Sequence, residues 1–244
     1  MAEPVRNEQG GAAELAPVIT IDGPSGTGKG TITHLLAGTL DWHILDSGAL
    51  YRIVAVGAEA RGIALDDSAE LSRFAQAMEV GFSHEIEGAI LLGGQEISAL
   101  VRLEESGAKA SQVAALPAVR EALFLRQRAF RQWPGLVADG RDMGTVVFPD
   151  ARLKLFLTAS PEVRADRRHK QLINKGVDVN VRALLRDIQA RDARDTQRAV
   201  SPMVPAEDAM LIDTSTLSVE AVFATVLDAV AKRMPAARLP PRSE

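Results

Sequence analysis

A glycine-rich run near the N-terminus ends in a lysine, at a spacing typical of loops that bind phosphate. Residues 23–29 read GPSGTGK and match the pattern G-x-x-x-x-G-K. Backbone N–H groups of such a loop point inward at phosphate oxygens, and the following helix adds the positive end of its dipole. Lys29 is expected to reach the terminal phosphates of a bound nucleotide. The predicted phosphate-binding residues are Gly23, Pro24, Ser25, Gly26, Thr27, Gly28, Lys29, Gly30 and Thr31.

The residue after the lysine departs from the usual form of this loop. A Ser or Thr that contacts Mg²⁺ normally stands there, but this chain has Gly30, and the hydroxyl is displaced to Thr31. Either Thr31 takes over that contact, or the nucleotide and water hold the metal ion. We therefore assign no protein side chain as a metal ligand.

A second chemical signal is the density of arginine between residues 164 and 198. This stretch contains ten Lys and Arg residues, eight of them Arg. A guanidinium is permanently charged and binds phosphate oxygens in pairs, which suits the stabilisation of a transferring phosphoryl group. Arg191, Asp195 and Arg198 are spaced i, i+4 and i+7, which predicts one helical face with a carboxylate between two guanidiniums. A salt-bridged, solvent-exposed helix surface is the alternative for any one of these arginines.

Two other classes of phosphate-loop protein are disfavoured by their missing elements. A guanine-specific switch needs Asn-Lys-x-Asp, but residues 174–177 read NKGV, and Asp178 comes one position late. A motor ATPase normally carries Asp-Glu at the end of an apolar strand, whereas residues 136–142 read LVADGRD. The remaining class is a phosphotransferase with a second small substrate, which the rest of the chain must identify.

These chemical groups need a scaffold that brings them together. Apolar strands are predicted at residues 18–21, 136–138, 153–157 and 210–212, each beside a helical stretch. This alternation predicts an α/β fold of the P-loop NTPase type, with three layers and a mostly parallel five-stranded sheet between helices. Residues 80–97 break the rhythm at Glu87-Gly88 and Gly93-Gly94, which predicts a small antiparallel β insert.

Composition narrows the setting in which the protein works. We divide its 244 residues into a disordered leader (1–16), a P-loop domain (17–234) and a disordered tail (235–244). An aromatic content of 4% and a pI near 5.7 give no support for nucleic-acid binding. Cysteine is absent, which fits a reducing compartment, and no apolar run approaches the roughly 20 residues of a membrane span. We expect a cytoplasmic monomer without nucleic-acid or membrane partners.

Several segments together resemble the bacterial cytidylate kinases. They are residues 21–31 (IDGPSGTGKGT), 45–52 (LDSGALYR), 110–114 (ASQVA), 119–120 (VR), 138–145 (ADGRDMGT) and 191–198 (RDARDTQR). The resemblance covers about residues 17–233, with the motifs in family order. It implies a core, a nucleotide-monophosphate-binding insert at about residues 64–110 and a lid at about residues 160–180. It also implies that the Gly30-Thr31 ending is the form of P-loop that nucleoside-monophosphate kinases use.

The same resemblance implies an activity and roles for individual residues. ATP with Mg²⁺ would donate a phosphoryl group to CMP or dCMP. Three side chains would hold the acceptor phosphate: Ser47, Arg52 and Arg141. Three would recognise the cytosine: Ser111, Arg120 and Asp142. Two would bind the ribose, Arg191 and Asp195, with Arg198 near the base or the phosphates.

Other residues would serve the donor and the reaction. Asp139 would orient the acceptor or water around Mg²⁺, and Arg167 and Arg168 would close over ATP. The charge of the transferring group would be stabilised by Lys29, Arg141, Arg191 and Arg198. Structural roles remain open for three of the residues named above: Ser47 as a helix N-cap, Arg52 as an exposed helix residue, and Asp139 as a buried strand-end cap.

Two rival functions remain at this point. The first is another small-molecule kinase on the same scaffold, acting on adenylate, shikimate or a sugar acid. The second is a nucleotide-binding or regulatory protein without catalysis. The first predicts a different acceptor, and the second predicts ATP binding without product.

Overall fold

The structure, a computed structural model, describes residues 15–82, 89–174 and 176–235. Most of the predicted leader and tail, and the predicted turn at Glu87-Gly88, lie outside these residues. At the inner end of the leader, Ala16 is buried, and its carbonyl accepts a hydrogen bond from Nε of Arg131 at 2.6 Å. The chain is therefore held against the domain from Ala16 onward.

A parallel sheet of five strands forms the centre of the molecule. The described strands are β1 (Val18–Asp22), β2 (His43–Asp46), β3 (Val80–Phe82), β4 (Ile90–Leu92), β5 (Gln95–Glu96), β6 (Leu136–Gly140), β7 (Leu153–Thr158) and β8 (Met210–Asp213). The sheet order is β2-β6-β1-β7-β8, and every neighbouring pair is parallel. The four strands named from the sequence are confirmed, and β2 is the fifth.

Helices cover both faces of this sheet. They are α1 (Lys29–Leu40), α2 (Ser47–Glu59), α3 (Ser68–Ala77), α4 (Ser98–Val101), α5 (Glu104–Val113), α6 (Pro117–Arg128), α7 (Pro161–Ile173), α8 (Val181–Gln197) and α9 (Val219–Arg233). Side chains of β1 alternate between two cores: Ile19 and Ile21 pack with α1 and α9, whereas Val18 packs with α2, α5 and α6. This arrangement confirms the three-layer prediction.

The predicted antiparallel insert is also present. Strands β3, β4 and β5 form a three-stranded antiparallel sheet, with Gly93 and Gly94 in the turn between β4 and β5. The insert packs on the core directly: Leu92 and Ile97 belong to the core cluster that contains residues of α2 and α6, and Val80 and Ile90 pack against it. The bounds of the nucleotide-monophosphate-binding part remain a prediction.

Helices α7 and α8 pack on each other around a small apolar core of their own. Ala165 and Leu172 of α7 meet Leu184 and Ile188 of α8 in this cluster, apart from the two cores of the sheet. Side-chain N-caps start both helices, from Ser160 and Asn180. The lid predicted at residues 160–180 contains all of α7, and its bounds stay a prediction. In the described part of the chain, no helix is both long and apolar enough to cross a membrane.

The close packing of α2 on the insert depends on a glycine. A Cβ at Gly57 would lie 2.4 Å from the ring of Phe74 and 2.7 Å from a methyl group of Leu92. Both distances are well inside van der Waals contact, so a larger residue at this helical position must displace side chains of α3 and β4. Gly57 therefore sets how closely the insert approaches the core.

We predict that Gly57→Ala lowers the free energy of unfolding by about 1 kcal/mol, measured by urea denaturation. Overpacking a core costs about 1–3 kcal/mol, which exceeds the roughly 1 kcal/mol of helix propensity that alanine adds. Gly38→Ala is the matched control, because Gly38 also lies within a helix but has no atom near the position of a Cβ. It should raise stability by about 0.5–1 kcal/mol. Equal stabilisation at both positions would contradict the packing argument.

Candidate functional site

A cleft of about 870 Å³ lies where β1, β2 and β6 end. The carboxyl ends of parallel strands share one edge of the sheet, and such edges are where α/β proteins bind ligands. Fourteen of the residues predicted from the sequence line this cleft: Ser25, Gly26, Lys29, Ser47, Arg52, Ser111, Arg120, Asp139, Arg141, Asp142, Arg168, Arg191, Asp195 and Arg198. The chain therefore gathers into one site groups that are as far as 173 positions apart in the sequence.

The remaining predicted phosphate-loop residues shape the loop without lining the cleft. They are Gly23, Pro24, Thr27, Gly28, Gly30 and Thr31. Gly23 has a φ of 135°, and a Cβ there would lie 2.1 Å from the carbonyl oxygen of Leu157, so only glycine fits between β1 and β7. Thr27 Oγ1 donates to the carbonyl of Pro24 at 3.1 Å and closes the loop.

Lys29 is buried at the start of α1 and faces a carboxylate. Its Nζ donates to the carbonyl of Pro24 at 2.9 Å and lies 3.9 Å from Oδ1 of Asp139. Burial lowers the pKa of Lys29, with the positive charge of Arg141 acting in the same direction. Burial also raises the pKa of Asp139, and the charge of Lys29 opposes that shift. A phosphate arriving at Lys29 would supply the negative charge that this buried ammonium lacks.

Asp22 is a functional candidate that the sequence reasoning missed. It is the last residue of β1, it is 5% exposed, and no role was assigned to it. Its two carboxylate oxygens accept hydrogen bonds from the backbone N–H groups of Met143 and Gly144, at 2.9 and 2.8 Å. These residues directly follow Arg141 and Asp142, which line the cleft. The signal in the sequence was an acid that ends an otherwise apolar, buried strand.

The start of α2 differs from one interpretation of the sequence. Asp46, not Ser47, is the N-cap, and its side chain accepts from the N–H of Ala49 at 3.0 Å. The N-cap interpretation of Ser47 is therefore wrong, because the helix begins one residue earlier than expected. Ser47 is buried beside Gly140, where a Cβ would lie 2.7 Å from Ser47 Oγ.

Arg52 is half-buried, so it is not an exposed helix residue. Its Nη1 donates to the carbonyls of Val101 and Leu103, at 3.0 and 3.2 Å. These two carbonyls lie at the end of α4 and directly before α5. They fix the guanidinium at the edge of the cleft and leave its other N–H groups available.

A buried carboxylate lies between two arginines deeper in the cleft. Asp142 forms ion pairs with Arg120 of α6 and with Arg198, whose Nη2 lies 3.3 Å from Oδ1 of Asp142. All three side chains are at most 7% exposed. The guanidinium of Arg120 also lies 5.7 Å from the ring centre of Tyr51, a cleft residue that the sequence reasoning missed. Residue spacing does not predict this contact, because Tyr51 is on α2 and Arg120 is on α6.

A second buried carboxylate, Asp195, has partners that differ from the prediction. It accepts from Ser111 Oγ at 2.8 Å and from Arg141 Nε at 3.0 Å, and Arg191 Nε lies 3.9 Å away. Arg198 was expected on the same helical face, but it follows the last residue of α8 with extended backbone. The prediction of a carboxylate between Arg191 and Arg198 is therefore wrong, because the helix ends before Arg198.

The arginines of α7 are engaged within the protein. Arg167 does not line the cleft, and its Nη1 donates to Oγ1 of Thr214 at 3.1 Å. Arg168 lines the cleft and forms an ion pair with Glu104 of α5. Arg164, to which no role was assigned, is 2% exposed and donates to the carbonyl of Ser25 at 3.1 Å.

Arg164 ties α7 to the phosphate loop, and its ion pair with Asp192 ties α7 to α8. In the described residues, no group of three or more His, Cys, Asp and Glu side chains is arranged to hold a metal ion.

Comparison with known proteins identifies the family. The family model described as "Cytidylate kinase" matches residues 19–232. The cytidylate kinase of Stutzerimonas stutzeri (strain A1501) is 57% identical over 220 residues, which is 89% of this chain and 96% of that protein. This chain belongs to the cytidylate kinase family. The cytidylate kinase of Pseudomonas putida is 54% identical over 222 residues, 90% of this chain and 97% of that protein.

A solved structure gives a weaker likeness. The crystal structure of a gluconokinase from Sinorhizobium meliloti 1021 aligns with a TM-score of 0.43 and 16% identity, over 91% of this chain and 94% of that one. At this level of similarity we base no argument on it. Membership of the cytidylate kinase family rests on the sequence relatives.

The position of Asp22 generates a prediction about this family member. In Asp22→Asn the amide has one acceptor oxygen, so the N–H of Met143 or of Gly144 loses its partner. We expect Arg141 and Asp142 to shift with the backbone that follows them. The value of kcat/KM for CMP, the acceptor that the resemblance implies, should fall about tenfold or more in steady-state assays, since small misplacements of binding groups are costly.

Asp208→Asn is the control, because Asp208 pairs with the buried Lys154 at 3.0 Å outside the cleft. It should lower the melting temperature without raising KM for CMP.

The same pair of variants tests the protonation of Asp22. Burial raises the pKa of Asp22 to about 7, and the two backbone hydrogen bonds oppose that shift. The folded state then holds more protons than the unfolded one between about pH 4 and 7, so the free energy of unfolding should fall as pH rises through this window. Asp22→Asn should flatten that slope; an unchanged slope and unchanged kcat/KM would remove Asp22 from both roles.

Proposed function

We propose that this chain transfers the γ-phosphoryl group of ATP to CMP and dCMP, and so forms CDP and dCDP. The observation that carries the proposal is Asp142, a buried carboxylate held between Arg120 and Arg198 in the same cleft as Lys29. A phosphate-binding loop alone fits many acceptors. A buried acid beside an arginine in that cleft fits a base that offers an exocyclic amine and a ring carbonyl, as cytosine does.

The proposed recognition of cytosine follows from its hydrogen-bonding pattern. Cytosine offers an exocyclic amine that donates and a ring carbonyl that accepts. Asp142 accepts from the amine, and Arg120 donates to the carbonyl. Uracil has a carbonyl in place of the amine, which would face the Asp142 carboxylate without a proton between them. The cost of leaving such a buried group unpaired is what separates the two bases.

The rest of the acceptor is proposed to bind along the mouth of the cleft. Ser47, Arg52 and Arg141 bind its phosphate by hydrogen bonds and charge neutralisation. Asp195 and Arg191 bind the ribose. Ser111 donates to Asp195 in the free protein, so its contribution to base recognition passes through this carboxylate or requires it to turn.

The donor is proposed to bind at the phosphate loop. ATP would bring Mg²⁺, and Asp139 is an acid beside this loop, since its Oδ1 lies 3.9 Å from Nζ of Lys29. Bound with ATP, Mg²⁺ would neutralise part of the phosphate charge. Arg167 and Arg168 of α7 are proposed to close over ATP, which requires Arg168 to leave Glu104 and Arg167 to leave Thr214.

The reaction itself is proposed to be a direct in-line transfer. The acceptor phosphate attacks the γ-phosphorus while the bond to ADP breaks, without a protein nucleophile. Lys29, Arg141, Arg191 and Arg198 provide positive charge, and positioning with electrostatic stabilisation accounts for most of the catalysis of such transfers. Every proposed group comes from one chain, so a monomer suffices for the reaction, and sedimentation measures the oligomeric state. We propose that the protein works in the cytoplasm.

An acceptor panel tests the function. With ATP and Mg²⁺, we expect kcat/KM for CMP and dCMP to exceed that for UMP and AMP by at least tenfold, measured by coupled ADP release. A single missing hydrogen bond at a buried group is worth about that factor. Shikimate and sugar acids should give no reaction above ATP hydrolysis. ATP binding without CDP formation would instead support a non-catalytic nucleotide-binding protein.

A substitution at the proposed base-recognition site is a sharper test. Asp142→Asn replaces an acceptor by an amide that also donates, so the preference for CMP over UMP should fall about tenfold. The ratio of the two kcat/KM values is the readout, because it cancels any general loss from the unpaired Arg120 and Arg198. Asp150→Asn, at an acid paired with Arg131 outside the cleft, should leave the ratio unchanged. An unchanged ratio in Asp142→Asn would exclude this carboxylate from base recognition.

A further inference from the structure

One face of α5 runs along the arginines at the mouth of the cleft. Its contact residue there is Gly107, where a Cβ would lie 3.0 Å from Nη2 of Arg52 and 3.1 Å from Nη1 of Arg191. Two guanidiniums from different helices therefore converge on one point of the α5 backbone. Two positive charges that approach the same point repel each other, and partial burial strengthens this repulsion.

The carboxylate on the same face of α5 is Glu104, three residues before Gly107. Glu104 is the first residue of α5 and forms an ion pair with Arg168 of α7. Burial lowers the pKa of Arg52 and that of Arg191, and the negative charge of Glu104 opposes both shifts. The carboxylate therefore acts on three guanidiniums, not only on its ion-pair partner.

Two other carboxylates lie nearby, and both are engaged. Asp46 accepts the N-cap hydrogen bond of α2, and its charge raises the pKa of Arg52 more than the charge of Glu104 does. Asp195 accepts hydrogen bonds from Ser111 and from Arg141, and it lies 3.9 Å from Arg191. It compensates Arg141 first and Arg191 less strongly. Glu104 thus supplies part of the negative charge that the outer arginines have in the free protein, alongside Asp46 at Arg52 and Asp195 at Arg191.

Glu104 is also free to leave. Its side chain is 48% exposed, whereas the side chain of Arg191 is 16% exposed and that of Arg168 is 24% exposed. A rotation about its side-chain bonds would carry the carboxylate into water at little cost in solvation, while the arginines stay in the cleft. The group that replaces it must be an anion.

We propose that Glu104 is the internal counter-ion of the acceptor-phosphate site and that the phosphate of the incoming nucleotide displaces it. The inference rests on the proposed function, since it takes CMP as the acceptor. In the free protein the Glu104 carboxylate offsets the repulsion among Arg52, Arg168 and Arg191. When CMP binds, its phosphate takes over this compensation at Arg52, beside which Arg191 binds the ribose, and Arg168 loses its partner on α5 and becomes available to ATP. Glu104 therefore weakens the binding of the phosphate that it imitates.

The test compares two variants and two ligands. Glu104→Gln keeps the size of the side chain and an acceptor oxygen for Arg168, but removes the charge. We expect it to lower the Kd of CMP about two- to fivefold by calorimetry, the scale of one partly exposed charge interaction. The Kd or inhibition constant of cytidine, which lacks the phosphate, should not change. Glu105→Gln is the matched control, because Glu105 is 65% exposed and lies 3.9 Å from Lys109, away from the cleft arginines.

A second readout follows from the free protein. Loss of the counter-ion should lower the melting temperature of unliganded Glu104→Gln, and saturating CMP should raise it by more than in the wild type. The gain in CMP affinity should shrink in high salt, where mobile anions screen the arginines. Glu104→Ala serves as a second variant and should act in the same direction.

Several results would overturn the inference. Weaker binding of CMP to Glu104→Gln would mean that Glu104 orients the arginines and does not compete with the phosphate. An unchanged Kd, or equal tightening of CMP and cytidine, would also exclude a phosphate-specific counter-ion. If wild-type protein forms no CDP, the proposed function fails; if it forms CDP and Glu104→Gln binds CMP no more tightly, the counter-ion role alone fails.

Discussion

The cleft depends on one constraint, which is that charges removed from water must be compensated. An unpaired buried guanidinium costs several kcal/mol, and here arginines meet carboxylates from other elements. Arg120 of α6 pairs with Asp142, and Arg141 pairs with Asp195 of α8. Because the two members of each pair come from different elements, the pairs also fix how α6 and α8 lie against the end of β6. Charge compensation thus builds the site and orients its groups with the same contacts.

Strand β1 connects the phosphate loop with the residues that follow β6. Gly23 begins the phosphate loop directly after the strand, and Asp22 holds the backbone that follows Arg141 and Asp142 through two hydrogen bonds. The distance between the phosphate loop and the groups proposed to bind the acceptor is therefore set within two residues of one buried strand. Sites supported by regular elements hold their geometry better than sites on loops alone.

The fold and the phosphate loop were predictable because their signals are local. A β-branched run, a glycine-rich turn and a helix follow one another directly at residues 18–40, and alternation along the chain predicts the layers. The side-chain partners were not predictable, because i and i+4 spacing says nothing about acids on other elements. Asp195 pairs more closely with Arg141, 54 positions away, than with Arg191 on its own helix. Arg198 leaves the predicted helical face because α8 ends at Gln197. The spacing of residues in the sequence predicts the ends of helices poorly.

Internal pairing changes how selectivity arises. In the free protein Asp142 already forms ion pairs with Arg120 and Arg198. The binding free energy of a base is therefore the difference between its contacts and the ion pairs that it replaces. In the proposed role of this pair, cytosine would match both the acid and the arginine, and each contact that it breaks would be replaced by one of the same polarity. Uracil would break the same contacts and face the carboxylate with a carbonyl. Selectivity would then be a difference in the cost of exchange between two ligands, and burial of the pair that must be exchanged would increase that difference.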